Sequence, residues 1–232
     1  MIELILIEPE SPENLGSIAR VMKNFAFSKL TLINPKIKKD NEKALIVAKH
    51  AKDILRKAKI ENFSYLKKFD YLIGTTAILG TDYNIPRNPI SPEQLSEKLS
   101  EVNYKRLNMG ILIGREGTGL KNDEINLCDI LVTIPASIKY PTLNISHAAS
   151  IILYKIFKKF EENSSISHIK FATKKEKEII MQYLDKILGK IEFATKERKI
   201  TQRRVWKRVF GKAMLTKREA FTIMGLFRKL LK

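Results

Sequence analysis

Short hydrophobic runs recur along the first 160 residues, and stretches with apolar side chains at helical spacing separate them. Runs of about four to eight apolar residues are typical of strands buried on both faces. Strands are predicted at residues 2–7, 30–33, 71–74, 109–113 and 130–134, and helices at residues 14–25, 41–57, 92–99, 122–127 and 144–160. This alternation predicts an α/β domain with a mostly parallel sheet, in which ligands bind beyond the carboxyl ends of the strands.

The pattern changes after residue 160. Residues 161–168 have little apolar content, which is typical of a linker, and the chain then shows only helical periodicity. Thr173 with Glu176, and Thr216 with Glu219, match the capping box that begins a helix. Residues 201–210 suit a short basic helix between these two. We therefore expect three parts: an α/β domain at residues 1–160, a linker at 161–172 and a basic helical extension at 173–232.

Charge indicates the kind of partner. The 232 residues include 43 Lys and Arg against 25 Asp and Glu, a net charge of +18. Residues 161–232 alone hold 19 basic against 8 acidic residues, and residues 1–160 hold 24 against 17. A basic surface binds phosphates by releasing their counterions, although surplus lysine also serves solubility alone. The asymmetry favours a nucleic-acid partner.

Composition excludes several other classes. Hydrophobic residues make up 44% of the chain and the mean hydropathy is −0.19. No apolar run approaches the ~20 residues that a membrane span needs, and the first strand is too short for a signal peptide. We expect a cytoplasmic protein without a membrane segment. The single cysteine, Cys128, excludes an internal disulfide and a cysteine-based zinc site.

A glycine-rich loop follows the strand at residues 109–113. Gly114, Gly117 and Gly119 give the spacing G-x-x-G-x-G, which differs from the G-x-G-x-x-G of dinucleotide sites, and the G-K-[ST] ending of a P-loop is absent. Taken alone, the loop could be a tight turn between strand and helix. Arg115 and Glu116 stand directly at the strand end, where charged side chains usually point into the cleft.

Three separated segments carry a family resemblance. They are N-x-G-S-I-A-R at residues 14–20, L-I-G-R-E-G-T-G-L-x-N-x-E at residues 112–124 and the segment at residues 134–148 that contains Y-P-T-L-N-I-S-H-A. In residue identity, order and spacing they resemble the three motifs of the TrmH-like branch of the SPOUT superfamily. Within that branch the chain is most similar to the TrmJ-type tRNA 2′-O-methyltransferases.

The resemblance implies a fold and a cofactor that hydrophobic periodicity does not. It implies a carboxyl-terminal trefoil knot within the α/β domain, whereas topology rules alone favour an unknotted sheet. It also implies that three loops, at residues 75–80, 114–119 and 134–144, bind S-adenosylmethionine. The cofactor-binding candidates are Thr75, Thr76, Ala77, Gly114, Glu116, Gly117, Gly119, Ile134, Pro135, Leu143 and Asn144.

The resemblance also assigns catalytic candidates, namely Arg20, Asn14, Ser146 and Glu116. Arg20 matches the residue that activates the ribose 2′ hydroxyl. A guanidinium remains protonated and has no acceptor lone pair, so contact with a phosphate or a developing alkoxide suits Arg20 better than the role of general base. For Asn14 and Ser17, capping of the helix amino terminus is an equally good interpretation. For His147, a packed or hydrogen-bonded histidine is favoured over a catalytic one.

Basic side chains near the motifs and in the extension are candidates for RNA contact. For Arg87 and Lys139, a solvated surface is the stronger alternative, and Trp206 suits a core anchor of the extension better than a base-stacking residue. The full set of RNA-binding candidates is Arg20, Arg115, Arg87, Lys139, Arg203, Arg204, Lys207 and Arg208.

The expected protein is a homodimeric, metal-independent tRNA ribose 2′-O-methyltransferase with its active site at the subunit interface. By resemblance, the target is cytidine or uridine at nucleotide 32 of the anticodon loop. Two alternatives remain open: another tRNA or rRNA 2′-O-methyltransferase of the same superfamily, or a non-catalytic RNA-binding protein that keeps the fold.

Overall fold

The computed structural model describes residues 1–77, 89–101, 107–162 and 170–231. Its strands are β1 (Ile2–Ile7), β2 (Leu30–Ile33), β3 (Lys59–Glu61), β4 (Tyr71–Thr75), β5 (Met109–Ile113) and β6 (Ile130–Val132). They form one sheet in the order β3-β2-β1-β5-β4-β6, and every strand pair in it is parallel. The prediction of an α/β domain with a mostly parallel sheet is confirmed.

The helices in the described ranges are α1 (Pro12–Asn24), α2 (Glu42–Ala48), α3 (Lys52–Lys57), α4 (Pro92–Glu101), α5 (Asn122–Leu127), α6 (Ile145–Glu162), α7 (Lys174–Lys190), α8 (Lys196–Ala213) and α9 (Lys217–Leu230). Single 3-10 turns occupy Lys49–Ala51 and Phe63–Lys68. The capping boxes predicted at Thr173 and Thr216 are present, and both begin helices.

Three elements of the structure differ from the prediction. The helix expected at residues 41–57 is interrupted at Lys49, whose φ of 50° lies in the left-handed region. β3 was not predicted because Lys59 and Ile60 are exposed, so this edge strand lacks a buried apolar run. The short helix expected at 201–210 is part of the longer α8, because the flanking Lys, Glu and Arg residues are good helix formers.

The sheet separates two hydrophobic clusters. Alternate residues of β1 and β5, such as Leu4 and Ile111, pack against α1, α4 and α6. On the opposite face, Ile5 and Leu112 belong to a smaller cluster that includes Leu66 of the 3-10 turn and residues of α5. The sheet is therefore covered on both faces, which leaves its carboxyl edge as the place where loops converge.

The first motif fixes how α1 packs. A Cβ atom on Gly16 would stand 2.5 Å from the carbonyl oxygen of Ala44 in α2, so only glycine allows this approach of the two helices. Ser11 caps α1 by accepting a hydrogen bond from the backbone of Asn14. The alternative that Asn14 or Ser17 serves as this cap is therefore wrong, and the side chain of Asn14 is left for another role.

The helical extension packs directly on the sheet. Met214 belongs to the same buried cluster as the strands, and a Cβ on Gly211 would stand 2.6 Å from the carbonyl oxygen of Asp129. Lys177 pairs with the Asp129 carboxylate at 3.1 Å and lies 3.5 Å from the ring centre of Tyr71. Burial lowers the pKa of Lys177. Deleting the extension would therefore expose part of the core, while the predicted domain boundaries remain a prediction.

Candidate functional site

A cleft of about 440 Å³ lies at the carboxyl edge of the sheet. We call it the carboxyl-edge cleft. The loops after β4, β5 and β6 line it, together with the start of α1 and the first turns of α6. Ten of the eleven proposed cofactor residues are among its lining: Thr75, Thr76, Ala77, Gly114, Glu116, Gly117, Gly119, Ile134, Leu143 and Asn144. The eleventh, Pro135, is exposed beside it.

The glycines of the loop after β5 have two different functions. A Cβ on Gly114 would stand 2.2 Å from the carbonyl carbon of Gly119, because the loop folds back onto its own start. Gly117 and Gly119 have φ values of 81° and 68°, and nothing lies within 4 Å of where their Cβ atoms would be. The loop thus presents bare backbone to the cleft, which is what close contact with a nucleoside requires.

A chain of polar side chains connects the three motifs. The Glu116 carboxylate accepts a hydrogen bond from the side-chain amide of Asn14 at 3.3 Å. The side-chain carbonyl oxygen of Asn14 in turn accepts one from the side-chain amide of Asn144 at 2.9 Å. The side-chain carbonyl oxygen of Asn144 accepts a hydrogen bond from the Ser146 hydroxyl at 2.7 Å. Residues that are 130 positions apart in the sequence therefore meet at one edge of the cleft. All four are predicted site residues, and their individual roles stay predictions.

Glu116 is also tied to the backbone before α1. Its two carboxylate oxygens accept the amide hydrogens of Glu10 and Ser11, each at 3.3 Å. Thr75 at the end of β4 is held similarly, since its hydroxyl donates to the carbonyl oxygen of Leu112 at 3.0 Å. The polar side chains of the cleft are therefore positioned by the same strand ends that form its floor.

Arg115 does not have the surroundings expected of an RNA contact. Its side chain is only 9% exposed and binds two carboxylates, with distances of 2.8 Å to Glu8 and 2.7 Å to Glu124. The hydrogen bonds to Glu8 and Glu124 raise the pKa of Arg115, and the bond from Arg115 lowers the pKa of Glu8. Arg115 lines the cleft, and both carboxylates hold it inside the loop; this arrangement does not favour the predicted RNA contact, which stays a prediction.

Glu8 was not predicted as a functional residue. It follows β1 directly with a φ of 46°, a left-handed conformation that costs a non-glycine residue energy. This conformation places its carboxylate on Arg115. The signal was present in the sequence, because Glu8 is a charged residue at a strand end, as Arg115 is.

Arg20 lies apart from the cleft of its own chain. It is exposed on α1 and is not among the residues that line the cleft. Ser146, the second residue of α6, is buried. His147 is exposed and its side chain has no hydrogen bond to any described residue, so the expectation of a packed or hydrogen-bonded histidine is wrong.

The remaining RNA-contact candidates have varied surroundings. Arg204 and Lys139 are exposed. Arg203 pairs with Asp185 at 2.7 Å, and Lys207 donates to the carbonyl oxygen of Asn126 at 2.9 Å.

Two predictions for α8 need correction. Arg208 is buried, with 7% of its surface exposed, because α8 packs this side on β6, so a direct phosphate contact is not supported. Trp206, expected as a core anchor, is 38% exposed. Its ring packs against that of Phe210, with the ring centres 5.5 Å apart. Arg87 lies outside the described residues.

The described ranges contain neither a group of metal-ligating side chains nor a membrane-spanning helix. Among those residues, no three or more His, Cys, Asp or Glu side chains are grouped to hold a metal ion. Likewise, none of the helices there combines the length and hydropathy of a membrane span.

Comparisons with known proteins agree with the geometry. Residues 1–154 match the model of the SpoU rRNA Methylase family. The chain is 38% identical to the tRNA (cytidine-2′-O-)-methyltransferase TrmJ of Methanocaldococcus jannaschii, over 98% of this chain and 99% of that protein. Its fold is similar to the crystal structure of TrmJ from Z. mobilis ZM4, with a TM-score of 0.70, 25% identity and full coverage of both chains.

A more distant structure contains a cofactor. It is the SpoU methyltransferase AviRb from Streptomyces viridochromogenes in complex with AdoMet, which is S-adenosylmethionine. Its TM-score is 0.51 at 20% identity, and the match covers 70% of this chain and 58% of that one. At this identity the likeness concerns the fold alone.

Proposed function

This chain belongs to the SpoU rRNA methylase family, and from that premise we propose that it is an S-adenosylmethionine-dependent tRNA ribose 2′-O-methyltransferase. The observation that carries the proposal is the meeting of three separated motifs at the carboxyl-edge cleft, joined through Glu116, Asn14 and Asn144. This arrangement places backbone suited to a nucleoside beside polar side chains suited to a ribose.

The lining of the cleft fits S-adenosylmethionine. Its volume of about 440 Å³ is within the range of small-molecule sites, which is about 300 to 1,000 Å³. Ile134 and Leu143 supply apolar walls for an adenine ring, while Gly117 and Gly119 leave open space along the backbone. When bound there, S-adenosylmethionine supplies an electrophilic methyl group on a positively charged sulfur.

The chain's own residues would position the RNA for an in-line attack. In such an attack the ribose 2′ oxygen would gain the methyl group as the bond from that carbon to sulfur breaks, and the hydroxyl proton would pass to solvent. Bringing both reactants into this geometry supplies most of the catalysis in such a transfer. In the proposal, Arg20 holds the neighbouring phosphate or stabilises the developing alkoxide, and Asn14, Asn144 and Ser146 orient the ribose.

A second copy of the chain completes the proposed site. Arg20 does not line the cleft of its own chain, so we propose that it acts at the cleft of a partner in a homodimer. A partly exposed aromatic group supports an interface at α1 and α6. There the ring of Tyr154, which is 43% exposed, lies 5.6 Å from that of Phe25. A solution mass equal to one chain in a fully active preparation would contradict this arrangement.

The proposal extends to the substrate and to chain topology. We propose nucleotide 32 of the tRNA anticodon loop as the target, as in the TrmJ-type enzymes. Cytidine is favoured there by the name of the Methanocaldococcus jannaschii relative. The proposed fold includes a trefoil knot formed by the chain after β5. The family's description as rRNA methylases makes an rRNA ribose the second candidate substrate.

Mapping of methylated riboses tests the proposal. The protein is incubated with unmodified tRNA and S-adenosylmethionine carrying a labelled methyl group, and 2′-O-methyl nucleotides are then located by mass spectrometry. We expect label at one ribose of the anticodon loop with the wild type, and labelling about 10²- to 10³-fold slower with Arg20→Ala. Label confined to rRNA would favour the second candidate, and no label in either RNA would contradict both.

A further inference from the structure

The excess positive charge of the α/β domain is concentrated in one segment. Residues 36–59 hold 9 Lys and Arg against 3 Asp and Glu, whereas the rest of residues 1–160 holds 15 against 14. The structure places residues 42–57 of this segment in α2, α3 and the 3-10 turn between them, on the side of the sheet where α1 packs. Outside this segment the domain is close to neutral.

The exposed cations of the segment that form no hydrogen bond or ion pair with a described residue include four that lie in α3 or just before it. Lys49, Lys52, Arg56 and Lys57 are all exposed. Their side chains form no hydrogen bond or ion pair with any residue in the described ranges. Other lysines of the region are engaged, since Lys36 pairs with Glu10 and Lys43 with Glu13.

Helix spacing and the break at Lys49 present these cations together. Lys52 and Arg56 are separated by one helical turn in α3, so their side chains are neighbours on the helix surface. Lys49 begins the 3-10 turn that leads into α3, and Lys57 is the last residue of α3. We call these four residues the α3 basic surface.

This surface continues from Arg20. Lys23 follows Arg20 by three residues on α1, which makes the two side chains neighbours on that helix. The Lys23 ammonium donates to the carbonyl oxygen of His50 at 2.9 Å and to Asp53 at 2.7 Å. Lys23 thereby connects α1 to the α3 basic surface and neutralises the carboxylate of Asp53, whose pKa it lowers.

From this arrangement we propose that the α3 basic surface binds the RNA backbone beside the reacting nucleotide, as a second RNA contact separate from the helical extension. The inference rests on the proposed function, because it places the target ribose at Arg20. Exposed lysines and arginines without protein partners bind phosphates by releasing counterions, and this binding does not depend on base sequence. In this proposal, the RNA strand that passes Arg20 continues over α3.

Paired double variants test the proposal. Lys52→Gln with Arg56→Gln removes two charges from the α3 basic surface, and Lys67→Gln with Lys98→Gln removes two from elsewhere in the same domain. The dissociation constant for tRNA is measured at several salt concentrations for full-length protein. Each lost phosphate contact lowers the salt slope by about 1, so we expect a decrease of about 2 in the first variant alone.

The possible outcomes distinguish a failure of the α3 proposal from a failure of the proposed function. Both variants are expected to bind S-adenosylmethionine as the wild type does and to melt at the same temperature. A wild type that binds and methylates tRNA, together with a first variant of unchanged affinity and slope, would overturn the α3 proposal alone. Equal losses in both variants would also overturn it, since they would reflect net charge. A wild type that neither binds nor methylates tRNA would instead refute the proposed function.

Discussion

The loop after β5 and the exposed face of α1 each contain an arginine within a motif, and their surroundings are opposite. Arg115 is buried between Glu8 and Glu124, with its charge used to hold the loop that borders the cleft. Arg20 is exposed and lies at one end of a basic surface. A charged residue in a motif can therefore serve the architecture of a site or the chemistry in it, and its carboxylate partners distinguish the two.

Replacing Arg115 should have the largest effect, and the effect should be on stability. Arg115→Met leaves the Glu124 side chain, 6% exposed, without its cation. Removing one partner of a buried pair costs about 3 to 5 kcal/mol. The free energy of unfolding from denaturant titration measures this loss. Arg203→Met is the control, because its pair with Asp185 is about half exposed and should contribute less than about 1 kcal/mol. Equal losses would remove the contrast between buried and surface pairs.

Replacing Arg20 should leave stability unchanged and reduce the rate. Arg20→Ala is expected to lower kcat about 10²- to 10³-fold, the usual cost of losing one donor to a developing negative charge. Its melting temperature and its dissociation constant for S-adenosylmethionine should match those of the wild type. Arg20→Lys keeps the charge but not the planar fork and should have an intermediate rate. A destabilised Arg20→Ala protein would mean that the two arginines do not differ as described.

Breaking the polar chain should have a smaller effect. Asn14→Ala removes the hydrogen bonds to Glu116 and Asn144, and such bonds contribute about 0.5 to 1.5 kcal/mol each. We expect kcat/KM to fall about 10-fold. Ser17→Ala changes the same helix at a position without a side-chain hydrogen bond to any described residue and should be nearly silent. Equal activity of the two variants would argue against a positioning role for Asn14.

The smallest expected effect is a pH dependence. The pKa of Glu8 is lowered from its ordinary 4.5, chiefly by the hydrogen bond from Arg115. A carboxyl group with a lowered folded-state pKa adds stability above its ordinary pKa and loses it as pH falls through the folded value. The difference in unfolding free energy between wild type and Arg115→Met should therefore shrink below about pH 4.5. A difference that stays constant from pH 6 to pH 3 would contradict the assignment to Glu8.

The sequence predicted the elements that form the cleft more accurately than the surroundings of its charged side chains. Buried strands such as Ile2–Ile7 and Met109–Ile113 consist mostly of apolar residues, and these placed the cofactor loops at strand ends. The resemblance to the SPOUT superfamily, based on three motifs, is confirmed by the family match. Both predictions rest on short stretches of sequence, namely apolar runs and motifs, which can be identified without knowing long-range contacts.

Long-range pairing was less accessible. The pairing of Arg115 with Glu8 could not be predicted from the neighbouring residues, because the two are 107 positions apart in the sequence. The packing of the extension was also missed, since it depends on Gly211 fitting against Asp129 and on Lys177 reaching the same residue. The break at Lys49 was hidden because its neighbours continue the helical pattern.

The central claim is that the three motifs together form a binding site for S-adenosylmethionine, and calorimetric titration tests it directly. S-adenosylmethionine is titrated into the wild type and into Ala148→Phe, which places a ring in the cleft from a helical position of α6. The account predicts one bound cofactor per chain for the wild type and a large loss of affinity for Ala148→Phe at an unchanged melting temperature. No binding by the folded wild type, or equal affinity in both proteins, would contradict it.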